Sequence, residues 1–269
     1  MNGRRTIVGL CMLCALLASA IAAQGASAAG TTLVTCASGA GDVGVTFNTA
    51  HCLPSEGGSG FGHYKVAQDT TTDLIGTPGS ATSKLKATLG GVATTLTSTS
   101  LSGTGTIENK KDPGGEHFAE GTGTITYSGV TVTPFTKCFV YEDLEPAVGA
   151  KGVVKTQKVR LTTTGTGEKL KITPDTGTVF ARFWMGDQCE NMTTAGECKI
   201  AGTYIVSGSV IATPEGATYA TTHTGVTEQN TLKLGTGEPT IKAGIEGSLT
   251  LEGSAKDAGV YNALSVTTF

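Results

Sequence analysis

The chain has 269 residues, with 19 Lys+Arg against 22 Asp+Glu, a net charge of −3, and only 15% charged and 6% aromatic residues. Its charges are scattered, with Lys110-Lys111 the densest basic spot, which excludes the basic face a nucleic-acid binder needs. Thr supplies about one residue in six and Gly 39 positions, a balance that favours pleated strands and tight turns over long helices.

At the start, Arg4 and Arg5 precede an apolar run from Ile7 to Ala23, which ends in Ala26-Ser27-Ala28-Ala29. A positive start, a hydrophobic middle and a small-residue cleavage site predict a secretory signal peptide over 1–29. The mature protein is then expected to be secreted or associated with the cell envelope. Leu10 before Cys11 and Leu13 before Cys14 argue against lipidation. Later stretches fall short of the ~18 apolar residues of a membrane helix, so no membrane span is expected in the mature chain.

The mature portion keeps Cys36, Cys52, Cys138, Cys189 and Cys198. Exported thiols tend to pair. Local spacing predicts two disulfides, Cys36 with Cys52 and Cys189 with Cys198, and leaves Cys138 as a free, buried thiol beside Phe139. Cys189 and Cys198 stand too far apart for a Cys-x-x-Cys zinc knuckle, and neither a metal nor a cofactor is expected.

From residue 84 onward, apolar residues recur at every second position, the period of a strand with one buried face. Leu85, Ala87 and Leu89 begin the pattern, followed by Val92, Thr94 and Leu96. Ile125 and Tyr127, Val159 and Leu161, and Leu170 and Ile172 continue it. Tyr204 and Val206, Leu232 and Leu234, Ile241, Ala243 and Ile245, and Leu249 and Leu251 complete it. Turn chemistry separates the runs at Thr77-Pro78-Gly79, Asp112-Pro113-Gly114-Gly115, Thr173-Pro174-Asp175-Thr176-Gly177 and Thr213-Pro214-Glu215-Gly216. Gly-Thr-Gly elements at Gly103, Gly121, Gly165 and Gly235 recur at unequal intervals, which excludes a regular solenoid and reads as turn and strand-start chemistry. The acidic, Pro- and Gly-containing segment 143–152 reads as a connector between β halves at 30–142 and 153–269. An all-β antiparallel sandwich or barrel-like fold is predicted.

Phe47-Asn48-Thr49-Ala50-His51-Cys52-Leu53 resembles the segment of trypsin-like serine proteases that carries the general-base His. That family's nucleophile lies in Gly-Asp-Ser-Gly-Gly, and here Gly186-Asp187 leads into Gln188-Cys189 instead. Without a nucleophile His51 has nothing to activate, so no catalytic residue is assigned. Glu116-His117-Phe118-Ala119-Glu120 gathers carboxylates and an imidazole, and on a strand Glu116 and Glu120 would share a face while His117 pointed away. A solvated edge explains these residues, as it does His63 and His223. Linker acidity explains Glu142, Asp143 and Glu145. Trp184, in Phe180-Ala181-Arg182-Phe183-Trp184-Met185, is read as core packing rather than a sugar-stacking platform.

Taken in order, several elements resemble a group of uncharacterised secreted Thr/Gly-rich β proteins of soil actinobacteria. These are Cys36 with His51-Cys52, Phe61-Gly62-His63-Tyr64, Gly121 to Tyr127, Thr173 to Phe180, Gly208 to Thr213 and Gly244 to Leu249. The resemblance implies an exported β fold and carries no activity. The expected function is that of a non-enzymatic exported protein, structural in the envelope or binding an extracellular ligand or cell-wall component. A secreted hydrolase around His51 or His117 and a lipocalin-like carrier are the alternatives.

Overall fold

A computed structural model of the chain describes residues 31–38, 46–47, 58, 60–65, 71–80, 82–144, 147–163, 169–187, 197–215, 218–221, 231–253 and 264–268. These residues form twenty-one strands and no helix, all paired antiparallel. No helix among them is long and apolar enough to cross a membrane. The signal segment 1–29 lies outside the described residues.

A four-strand sheet contains β1 (Thr31–Ser38), β2 (Thr46–Phe47), β3 (Phe61–Lys65) and β21 (Leu264–Thr268). In it the first described strand pairs with the last, Leu33 opposite Val266.

The remaining seventeen strands make one large sheet. Its first part runs through β4 (Thr72–Pro78), β5 (Ser83–Leu89), β6 (Val92–Ser98), β7 (Ser100–Lys111), β8 (His117–Ser128) and β9 (Thr131–Thr133). Then come β10 (Phe139–Leu144), β11 (Ala147–Lys151), β12 (Val154–Thr156), β13 (Val159–Thr163), β14 (Leu170–Pro174) and β15 (Val179–Gly186). The last are β16 (Gly202–Ser207), β17 (Val210–Glu215), β18 (Thr218–Thr221), β19 (Lys233–Gly235) and β20 (Ile241–Gly253).

Pairing closes on itself through β4, β7, β8, β13, β14, β17, β18 and the second half of β20. The first half of β20 turns instead to β5 and β19, and the end of β8 turns to β12. Two long strands are thus shared between neighbouring walls, and the molecule is not a clean barrel. Gly247 marks the crossing point in β20. Its φ of +153° lies where side chains are disfavoured, and a Cβ there would stand 2.7 Å from Ser83 Oγ.

The two-residue period places most of the core as expected, with Val92, at the start of β6, exposed instead. Leu89, Leu96, Ile125, Val159, Leu161, Leu170, Ile172, Val206, Leu234, Ala243 and Leu251 are buried in one continuous cluster. Fully burying a side chain of this size contributes on the order of 1.5–3 kcal/mol. The Asp112-Pro113-Gly114-Gly115 turn closes the β7–β8 hairpin, with the Gly115 N–H donating to the Asp112 carbonyl and the Glu116 N–H to Asp112 Oδ1. Glu116 therefore stands in the turn, ahead of β8, and not on the strand beside Glu120.

Three local readings differ in the structure. Segment 143–152, read as a connector, instead contributes to an antiparallel hairpin of β10 and β11, and β8 pairs with both β12 and β13 across it. Gly103-Thr104-Gly105 and Gly121-Thr122-Gly123 are strand interiors whose ends meet, with Gly105 facing Gly123. The backbones approach so closely there that a Cβ on Gly105 would lie 2.2 Å from the Thr122 carbonyl oxygen.

The third difference is the disulfide. Cys138 is not a free thiol: it is bonded to Cys198, sixty residues away, so the expected Cys189–Cys198 bridge does not form. Register explains it. Phe139 at the start of β10 faces Gly186 at the end of β15, and Met185 faces Gly202 at the start of β16. Three strand ends thereby converge, and Cys138 and Cys198 lie just beyond two of them with Cα atoms 4.8 Å apart. Cys52 and Cys189 lie outside the described residues, and Cys36 is described only by its backbone in β1.

Candidate functional site

Alternation along β7 and β8 gives the hairpin one core face and one outward face. Leu101, Ile107, Asn109, Ala119 and Ile125 are buried, while Thr104, Thr106, Glu108, Lys110, Glu120, Thr122 and Thr124 stand on the other side. Cross-strand register places Thr104 opposite Thr124, Thr106 opposite Thr122, and Glu108 opposite Glu120. β13 adds Arg160 beside Thr122, and the turn after β14 supplies Asp175, whose N–H donates to the Lys158 carbonyl.

These residues line an open groove of about 320 Å³, with Thr71, Thr106, Thr122 and six charged side chains on its walls. Two carboxylates directly opposite on a sheet repel. Lys110 resolves the conflict by bridging both, 2.9 Å from Glu108 and 2.8 Å from Glu120. The other Glu120 oxygen meets Arg160 at 3.2 Å. Arg160 donates from Nε and Nη2 to Asp175 Oδ1 at 3.3 and 3.2 Å, and Lys158 lies 3.6 Å from Asp175 Oδ2.

The result is a chain of alternating sign, Glu108–Lys110–Glu120–Arg160–Asp175–Lys158. Its anions form the floor and its cations the rim: the side chains of Asp175 and Glu120 are 15% and 21% exposed, those of Arg160 and Lys158 48% and 62%. Hydrogen bonds to Glu120 and Glu108 hold the Lys110 ammonium above its ordinary pKa. Both Glu120 oxygens are engaged by cations, Oε2 by Lys110 and Oε1 by Arg160.

The interior offers far less room. An apolar cavity of about 50 Å³ lies among Leu85, Leu96, Tyr127, Val154, Phe183 and Ile245. Sites for drug-sized molecules occupy roughly 300–1,000 Å³, so this void does not suit a lipocalin-like carrier.

The residues singled out from sequence are dispersed. His117 sits at the start of β8 opposite Lys111, while Glu120, three residues on, belongs to the groove. His51, His223 and Glu145 lie outside the described residues, and His63 is described only by its backbone, opposite Cys36. Asp143 is not linker acidity. Its side chain is 1% exposed and accepts from Arg182 Nε at 3.0 Å. Trp184 is 1% exposed, with its ring centroid 5.3 Å from that of Tyr141, and offers no platform to a ligand.

Sequence reading missed Glu108, Lys158, Arg160 and Asp175. A usable signal was present, because the Asp112–Gly115 turn fixes the hairpin register and thereby sets Glu108 against Glu120. No family model matches the chain, and neither the curated proteins nor the solved structures give a match.

Proposed function

We propose that the protein is an exported, non-enzymatic β module that binds a ligand of the extracellular space or the cell wall through the β7–β8–β13 groove. The signal-like start supports export. One observation carries the binding reading: the groove is an open concavity of about 320 Å³, and its polar side chains already hold one another in place. Such pre-organisation reduces the ordering cost of binding. The small interior cavity favours this reading over a carrier.

Sedimentation with washed, insoluble bacterial cell-wall fragments tests it. The wild-type protein should pellet with the fragments, and Arg160→Ala combined with Asp175→Ala should leave it in the supernatant with its thermal transition still cooperative. A wild-type protein that stays in the supernatant, or a double variant that still pellets, refutes the groove as the binding site.

A further inference from the structure

We infer that the groove takes an uncharged, polyhydroxylated chain, a neutral polysaccharide; the inference rests on the binding role proposed above and names its ligand class. The argument begins with charge balance. Three carboxylates and three cations line the groove, and every one of them has an oppositely charged neighbour within 3.6 Å. An ionic ligand would meet no net opposite charge there, while losing its own hydration on entry.

A hydroxyl group meets the reverse situation, since it donates and accepts at once. Glu120 lies between Lys110 and Arg160, and Asp175 between Arg160 and Lys158, so acceptor and donor alternate along the wall. Neighbouring hydroxyls on a sugar ring can donate to the carboxylate and accept from the adjacent cation without separating the pair. Thr106 and Thr122, opposite one another on adjacent strands about 4.8 Å apart, extend the same bifunctional lining with hydroxyls of their own.

The groove is open rather than enclosed, and it runs from β7 across β8 to β13 and the turn after β14. That shape suits a segment of a chain whose ends continue into solvent. Ile107, the apolar residue at its edge, turns its side chain into the core, so recognition there relies on polar contacts. Charge-assisted hydrogen bonds are the strong ones in such a site.

Affinity electrophoresis in native gels distinguishes the classes. The probes are a soluble β-glucan, a mannan and an arabinogalactan as neutral polymers, with polygalacturonate and dextran sulfate as anionic ones. At least one neutral polymer should retard the wild-type protein, with little change on adding salt, because no net charge is neutralised. Arg160→Ala should weaken that retardation about tenfold, as loss of a charge-assisted contact implies. Thr106→Val with Thr122→Val leaves the ion network in place and should also weaken it, which guards against a trivial folding defect. Retardation by none of the neutral polymers, or by the anionic polymers alone, overturns the inference. If the protein still pellets with wall fragments through the groove in that case, the binding role stands and only the ligand class falls.

Discussion

Thr156 Oγ1 accepts the backbone N–H of Ile125 at 2.9 Å, at the point where β8 passes from pairing with β13 to pairing with β12. Such a change of partner interrupts the ladder of main-chain bonds and exposes a buried donor. Thr163 performs the same task at the other end of the β13 pairing, where its Oγ1 accepts from the Ala119 N–H at 2.9 Å. Both threonines are buried, so these hydroxyls serve the fold and not the solvent. Thr156→Val keeps the shape and removes the acceptor, which should cost about 1–3 kcal/mol because the Ile125 N–H is left unsatisfied. Thr156→Ser keeps the acceptor and should lie much closer to wild type. Urea unfolding of the two variants is the check, and a valine variant as stable as wild type defeats the argument.

The Cys138–Cys198 bond closes a loop of sixty residues, the span that contains β10 through β15. Cross-linking residues so far apart restricts the unfolded chain strongly, and disulfides typically contribute about 2–4 kcal/mol. Cys138→Ser and Cys198→Ser should each lower the thermal midpoint, and the double variant should fall no further than either single one. Both sulfurs belong to buried residues, so an alkylating reagent should label neither position before unfolding or reduction. Peptide mapping after alkylation without reductant reads this directly.

How much of this was legible beforehand depends on the range of the interaction. Strand period is local, and Leu89, Leu96 and Leu249 with Leu251 declared their faces through alternation alone, whereas Val92, beside the Gly90-Gly91 turn, is exposed. The β7–β8 hairpin was equally open, because Asp112-Pro113-Gly114-Gly115 supplies its turn within the same stretch. Cys138 misled because proximity in sequence says nothing about strand ends that meet through the β10–β15–β16 register. The groove stayed hidden for a related reason. Arg160 and Asp175 reach Glu120 only after β13 has docked beside β8, and no spacing along the chain records that docking. Gly-Thr-Gly looked like punctuation, since a glycine in a turn and one between closely approaching strands are written with the same letter.

Gly105 tests the close approach of β7 and β8 itself. Its missing side chain lets the β7 backbone approach Thr122 and Gly123 of β8. A methyl group there would sit 2.2 Å from a backbone oxygen and 2.7 Å from the Gly123 Cα, and neither neighbour is a flexible side-chain end that can move aside. Overpacking of this kind costs typically about 1–3 kcal/mol. Thr104→Ala, at the preceding residue and on the exposed side, should cost less than about 1 kcal/mol. Equal destabilisation of Gly105→Ala and Thr104→Ala in denaturant titrations would show that the approach of the two strands carries no special constraint.

Alkali should unfold the protein more readily than mild acid, and the direction follows from three groups whose pKa values are raised in the fold. Tyr127 lines the apolar cavity, and burial pushes its phenol up. Burial does the same to Tyr204, whose hydroxyl donates to the Ile200 carbonyl at 2.7 Å. Lys110 is raised by its bonds to Glu120 and Glu108. In the unfolded chain these groups release protons near pH 10, while the folded protein still holds them. Their contribution is therefore complete below about pH 10 and is lost as pH rises through the higher folded values. On the acid side Glu246 works in the opposite sense, since its hydrogen bond with Lys86 lowers its pKa. What it contributes is present above about pH 4.3 and fades as pH falls through the lowered folded value. A plateau of thermal midpoint between about pH 5 and 9.5 should give way to a steep alkaline limb. Tyr127→Phe removes one of the three protons and should make that limb shallower. Phenolate absorbance followed through the same titration should rise together with unfolding for Tyr127 and Tyr204. Their ionisation near pH 10 in a protein that remains folded would contradict the burial on which this prediction stands.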